Sequence, residues 1–213
     1  MSKSIIFDMD GVISDTQDLH AKAIATVLKA DSIHITPDDV TRRFAGMPVA
    51  ELFITLFREA KKSCDSIDAE VAKYSRLVTI STHGHIKAVP GTLEFIAKLY
   101  KKNIPMAVAS SSGRAYINMV LSELNIKKFF KAIASGQDVS NGKPAPDIFL
   151  LAAQRLDAKP QDCIVIEDGI NGMIGAKQAG MFCVGLARWE APENCPADVV
   201  VDDLNKLNRA LFE

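Results

Sequence analysis

The chain has 213 residues, 48% of them hydrophobic, which is enough for one sizeable core with a smaller appended domain. Lys and Arg number 25 against 26 Asp and Glu, leaving a net charge of −1, and the basic residues are dispersed in clusters such as the pairs Arg42-Arg43 and Lys61-Lys62. That gives no support to a phosphate-backbone stripe, so no nucleic-acid partner is expected.

At the amino terminus one Lys and three apolar residues, Ile5-Ile6-Phe7, precede Asp8, far short of a signal-peptide core. No later run approaches a transmembrane length, so no membrane partner is expected. The four cysteines, Cys64, Cys163, Cys183 and Cys195, form no C-x-x-C pair. A reduced, cytoplasmic protein is the natural reading.

Ile5-Ile6-Phe7 reads as a first strand, followed at once by Asp8-Met9-Asp10-Gly11 and then Asp15. From residue 16 to 82 no strand is evident, and helical periodicity runs through Leu19-Ala23-Val27-Leu28, Leu52-Phe53-Leu56-Phe57 and Val71-Tyr74-Leu77-Val78. This stretch is expected to be an inserted all-helical cap, a candidate lid. Ser14-Asp15 would be the outgoing linker, with Ser81-Thr82-His83-Gly84-His85 and Pro90-Gly91 as the return.

The second half alternates. Short apolar runs at Met106–Ala109, Ala132–Ala134, Ile164–Ile166, Phe182–Val184 and Val199–Val201 read as strands buried on both faces. Between them lie helical patterns such as Leu93-Phe95-Ile96-Leu99 and Ile117-Val120-Leu121-Leu124, and a last helix is expected over Leu204–Leu211. The expected fold is α/β: a doubly wound, Rossmann-like parallel sheet of residues 1–15 and 83–213, with the helical cap of residues 16–82 inserted after the first strand. In such a sheet ligands bind at the carboxyl ends of strands, so polar residues just past them matter most.

Asp8 and Asp10 alternate onto one side of an extended segment, where two close carboxylates repel unless a cation compensates. The D-x-D-G spelling also suits a plain turn. What separates the two readings is that other strands end in the same way. After Met106–Ala109 comes Ser110-Ser111-Ser112-Gly113, whose hydroxyls and free N–H groups suit a phosphate, or a simple helix cap. After Ile164–Ile166 comes Glu167-Asp168-Gly169. Asp8, Asp10 and Asp168 converging with oxygen ligands alone would suit Mg2+.

Lys143, before Pro144, is placed to neutralise a phosphate or a nucleophile. The spacing from Gly136 to Gly142 and the proline after Lys143 rule out a nucleotide P-loop. Gly169, Gly172 and Gly175, spaced by three, read as one helix face packed closely on the sheet rather than as a dinucleotide turn. A phosphoacceptor signalling domain also builds an acidic pocket with a hydroxyl and a Lys, but from the middle strand and without a helical insertion.

Together Asp8-Met9-Asp10-Gly11, Ser110 at a strand end, Lys143-Pro144 and Glu167-Asp168-Gly169 resemble the haloacid dehalogenase superfamily over nearly the whole chain. Asp15-Thr16, G-K-P-x-P-D and E-D-G resemble its β-phosphoglucomutase and phosphatase subgroup. The resemblance implies Asp8 as nucleophile and Asp10 as general acid and base. It implies Mg2+ held by Asp8, the Asp10 carbonyl and Asp168 with Glu167 beside them, and Ser110, Ser111 and Lys143 on the phosphoryl oxygens. A monomer acting on a small phosphorylated metabolite, a sugar or polyol phosphate, follows from it. His20 and Arg43 are the cap candidates for substrate contact, with Arg42 and Lys73 behind them. Mutases of this type are expected to carry an Arg three residues after a cap Gly; here Gly46 is followed by Val49, which favours a phosphatase.

Overall fold

The computed structural model describes residues 3–44, 47–187 and 195–207. Six strands form one sheet: β1 (Ser4–Phe7), β2 (Met106–Ser110), β3 (Ala132–Ser135), β4 (Cys163–Glu167), β5 (Phe182–Leu186) and β6 (Val199–Val201). Their order is β3-β2-β1-β4-β5-β6 and every pairing is parallel, so the chain winds outward from β1 to one edge and then crosses to the other. The carboxyl end of β1 therefore lies at the switch point, where an open α/β sheet leaves a crevice.

The helices of this unit are α5 (Thr92–Lys101), α6 (Arg114–Glu123), α7 (Asp147–Leu156) and α8 (Ile170–Gln178). They follow four in the inserted segment: α1 (Gln17–Ala30), α2 (Pro37–Phe44), α3 (Val49–Glu59) and α4 (Ile67–Thr82). Alternation along the strands explains the layering. Ile6, Ala107, Ala109, Ala134, Val165 and Cys183 share one core cluster with Ile148, Phe149, Ala152 and Ala153 of α7 and Met173 and Ala176 of α8. Phe7, one residue on from Ile6, meets the ring of Phe95 of α5 edge-on instead, at 6.2 Å. Small alanines on β2 and β3 let α7 come close, and a buried aromatic such as Phe149 adds about 1.5–3 kcal/mol. Burial pushes the thiols of Cys163 and Cys183 up to about 11 and about 12. Both behave as small apolar groups.

The chain divides into two compact units, Met1–Asp15 with Ile86–Glu213, and Thr16–His85. Within the second, Ile24, Leu28, Val40, Phe44, Leu52, Phe53, Leu56 and Phe57 make a separate core. Ser66 caps α4, its hydroxyl accepting the Ala69 N–H at 3.2 Å. Among the described residues, no helix is long and apolar enough to cross a membrane.

Four details differ from the sequence reading. Ser81 and Thr82 are the end of α4 rather than linker, because their hydroxyls donate back to the Val78 carbonyl and keep the helix going. The unit boundary accordingly falls after His85, whose N–H still donates to Thr82, and not after residue 82. Pro90 and Gly91 are the turn that starts α5. Of the expected last helix, Leu204–Lys206 is a 3-10 turn with Asp203 accepting from the Asn205 N–H, and residues 208–211 lie outside the described residues.

Candidate active site

Strand register builds the site. Phe7 pairs with Val108 on one side and Ile166 on the other, so the next step along each strand brings Asp8 level with Glu167 and Ala109. Asp8 and Glu167 continue the row begun by Ile6 and Val165, on the face that carries α7 and α8. The segment leading into α7 delivers Lys143 to the same place. Its ammonium donates to Asp8 Oδ1 and Glu167 Oε1, each at 2.6 Å, and lies 5.0 Å from the centre of the Phe149 ring.

All three side chains are buried. Burial pushes the Asp8 carboxyl up to about 8, against the pull of Lys143, with Glu167 and Asp10 adding repulsion. Burial, then Glu167 and Asp8, also hold Asp168 well above the usual carboxylate range. For Lys143 burial favours the neutral amine, yet Asp8 and Glu167 outweigh it and keep the ammonium above its ordinary range. One lysine gains from two carboxylates, while each carboxylate has only a share of one lysine.

Three carboxylates therefore crowd around one lysine, and ionising all of them would leave more negative charge than Lys143 neutralises. One carboxylate oxygen from each of Asp8, Glu167 and Asp168 lies within 4.8 Å of the others. This all-oxygen set, short of positive charge, fits a hard divalent cation such as Mg2+. Glu167 is constrained further, since Oε2 also accepts the Gly169 N–H at 2.7 Å.

A haloacid dehalogenase-like hydrolase family model matches residues 5–186. The chain belongs to that family. It is similar to a validoxylamine A 7′-phosphate phosphatase from Streptomyces hygroscopicus subsp. limoneus, 31% identical, the match covering 97% of this chain and 96% of that one. It is 34% identical to a β-phosphoglucomutase from Bacillus subtilis (strain 168), over 99% of this chain and 93% of that one. A crystal structure of CbbY from Rhodobacter sphaeroides in complex with phosphate superposes with a TM-score of 0.84 at 25% identity, covering 100% and 99% of the two chains.

Within this haloacid dehalogenase-like frame the remaining candidates separate. Ser110 is buried at the end of β2, its hydroxyl oxygen accepting the Ser112 N–H at 3.1 Å. Ser111 is exposed, and it is Ser112, part of the serine run but not among the expected site residues, whose hydroxyl donates to Asp10 Oδ2 at 3.1 Å. The carboxylate of Asp10 is not one of the clustered three. β1 ends at Phe7, so the alternation that would align Asp10 with Asp8 stops, and Asp10 sits in a turn where Ser14 donates to its Oδ1 at 3.4 Å.

The glycines of α8 pack on the site itself rather than on bare sheet. A methyl group at Gly172 would stand 1.7 Å from Glu167 Oε1, and one at Gly175 would be 3.1 Å from the carbonyls of Pro144 and Ala145. Their spacing of three showed a close face, and nothing in it named the neighbour.

In the helical unit the candidate residues meet Tyr74 or nearby acids. His20 Nδ1 lies 2.5 Å from the Tyr74 hydroxyl. Arg43 donates to both oxygens of Glu59 at 2.7 Å, Arg42 pairs with Asp39, and Lys73 with Glu70. His83 and His85 are exposed at the end of α4.

Proposed function

We propose that this chain is a Mg2+-dependent phosphatase that hydrolyses a small phosphorylated metabolite, a sugar or polyol phosphate, through an aspartyl-phosphate on Asp8. The observation that carries the reading is the Lys143 bridge between Asp8 and Glu167 inside an oxygen cluster still short of positive charge. A carboxylate fixed in this way at a strand end can attack phosphorus, and the anionic transferring group adds negative charge that a cation offsets.

An Asp8 oxygen attacks phosphorus, the bond from phosphorus to the ester oxygen breaks, and Asp10 gives its proton to the departing alkoxide. A water then attacks the acyl phosphate, passes a proton to Asp10, and Asp8 leaves as carboxylate with inorganic phosphate released. Lys143 and the Ser110 hydroxyl stabilise the equatorial oxygens during both transfers. Asp8, the Asp10 carbonyl and Asp168, with Glu167 beside them, would hold Mg2+. When bound it supplies charge that lets the anionic nucleophile and the phosphate share the pocket. The same reading makes the enzyme a cytoplasmic monomer whose partner is its small substrate.

A β-phosphoglucomutase-type mutase is the second reading, favoured by the similarity to the Bacillus subtilis enzyme. Against it stands Val49 where an Arg is expected. The deciding experiment follows phosphate release from sugar, polyol and nucleotide phosphates with and without Mg2+. It includes β-glucose 1-phosphate with a trace of the 1,6-bisphosphate, assayed for glucose 6-phosphate. Metal-dependent phosphate release is expected; glucose 6-phosphate without free phosphate would establish the mutase instead. Thermal melting supplies a readout apart from turnover: Mg2+ should raise the melting temperature of the wild type and not of Asp168→Asn.

A further inference from the structure

Ser112 is held with unusual completeness for a residue in a serine-rich turn. Its N–H donates to Ser110 Oγ at 3.1 Å, and its carbonyl accepts the hydroxyl of Ser135 at 2.8 Å. Ser135 is itself fully buried at the end of β3, and its N–H donates to Asp138 Oδ2 at 2.8 Å. Asp138 is tied in turn to Arg114 of α6 and Arg155 of α7. The next residue, Gly136, runs so close beneath the turn that a methyl group there would stand 2.4 Å from the Ser111 carbonyl oxygen. Both flanks of Ser112 are therefore fixed by the end of β3 before its side chain is considered.

That side chain reaches Asp10. Ser112 Oγ donates to Oδ2 at 3.1 Å, while Oδ1 has the longer 3.4 Å contact from Ser14, whose hydroxyl also lies 3.3 Å from the Met9 carbonyl. Asp10 lies beyond the end of β1, bridged to Ser14 rather than paired with a strand of the sheet. Of these two contacts the shorter comes from another strand's turn.

We infer that Ser112 is a positioning residue, whose hydroxyl sets the orientation in which Asp10 hands its proton to the leaving oxygen. The inference rests on the phosphatase reading, since it assumes that Asp10 is the acid. A misaligned acid fails most where the leaving group needs a proton most, so the loss should depend on leaving-group basicity.

The test compares kcat/KM for p-nitrophenyl phosphate, whose phenolate departs readily, with that for glycerol 3-phosphate, whose alkoxide does not. In a two-step covalent mechanism kcat/KM reports only the steps up to leaving-group departure, so the later hydrolysis does not enter. Ser112→Ala is expected to lower kcat/KM for glycerol 3-phosphate by about tenfold to a hundredfold, and to change that for p-nitrophenyl phosphate much less. Ser112→Thr, which keeps the hydroxyl, should recover most of the loss. An equal loss on both substrates, no loss on either, or a loss that Thr leaves unrepaired would overturn the assignment. Asp10→Asn, run beside them, separates the two levels. If Asp10→Asn discriminates between the substrates and Ser112→Ala does not, the positioning role fails alone. If Asp10→Asn is blind to the leaving group, the acid assignment fails and takes Ser112 with it.

Discussion

The two units put pairs of opposite charge to opposite ends. In the helical unit Arg43 meets Glu59 with both side chains close to half exposed, at 42% and 48%. In the α/β unit Lys143 meets Asp8 and Glu167 with exposures of 6%, 10% and 3%. Water screens the first pair and supplies most of what the partners would otherwise give each other. The second has no such alternative, so each group depends on its neighbours and the pocket retains an electrostatic need that a ligand can meet. Similar N–O distances, 2.7 and 2.6 Å, thus stand for a nearly neutral contact in one unit and a poised site in the other.

The largest effect expected from this contrast is at Asp8. Asp8→Asn should reduce turnover by about a thousandfold or more, as removal of a covalent nucleophile does. Its stability should move the other way or not at all. Burial already holds Asp8 far above its ordinary range, so a neutral amide relieves a cost that the native carboxylate bears. Activity assays and melting curves on the same preparation check both halves; substantial turnover would sink the nucleophile assignment, and a large drop in melting temperature would mean that the buried carboxylate stabilises the fold.

Next come the two cations. Lys143→Ala strands two buried carboxylates, a change that costs about 3–5 kcal/mol when a buried pair is broken, or on the order of 10 °C in melting temperature for a chain of this size. Protonation of either carboxylate limits the loss. Arg43→Ala should cost less than about 1 kcal/mol. Equal shifts in the two variants would show that burial does not separate the units as described.

Much of the α/β unit was legible because its signals are local and redundant. Strands buried on both faces read as short apolar runs, and Asp8, Ser110 and Glu167-Asp168 each stand at the end of one. Lys143 stood out between Gly142 and Pro144. Less legible was everything decided where strands stop. Alternation placed Asp10 beside Asp8, but the strand ends at Phe7 and the turn takes Asp10 to Ser14 and Ser112. Three successive serines offer no internal reason to choose the third, because the choice is made by Ser135 and Gly136 from another strand. The contact of Gly172 with Glu167 was hidden for the same cause: spacing gives a helix face, whereas the partner depends on the assembled layers. Helical periodicity in the insertion gave its helices, while exposed cations such as Arg43 and Lys73 carry no pattern that distinguishes a ligand contact from a solvated pair.

A last effect belongs to an ion-pair cluster that lies between these extremes in exposure, at Asp138. Arg114, then Arg155 and the Ser135 N–H, hold its carboxyl well below the usual range, against an opposing contribution from burial. A carboxylate depressed in the native state contributes stability that is fully present above its unfolded pKa of about 3.9. Below that pH the unfolded chain takes up the proton first, and the contribution is lost until the native carboxylate is protonated as well. The difference in melting temperature between the wild type and Asp138→Asn should therefore be level from about pH 5 to 8 and should shrink below about pH 4. A difference that stays level down to pH 3 would mean that Asp138 acts through packing and hydrogen-bond shape rather than charge. A difference that instead changes near neutrality would assign the titration to another group. The distinction reaches beyond stability, because Asp138 anchors the Ser135 segment that holds Ser112. If its charge is what secures that segment, selectivity against basic leaving groups should also rise in Asp138→Asn at neutral pH, with a smaller amplitude than in Ser112→Ala.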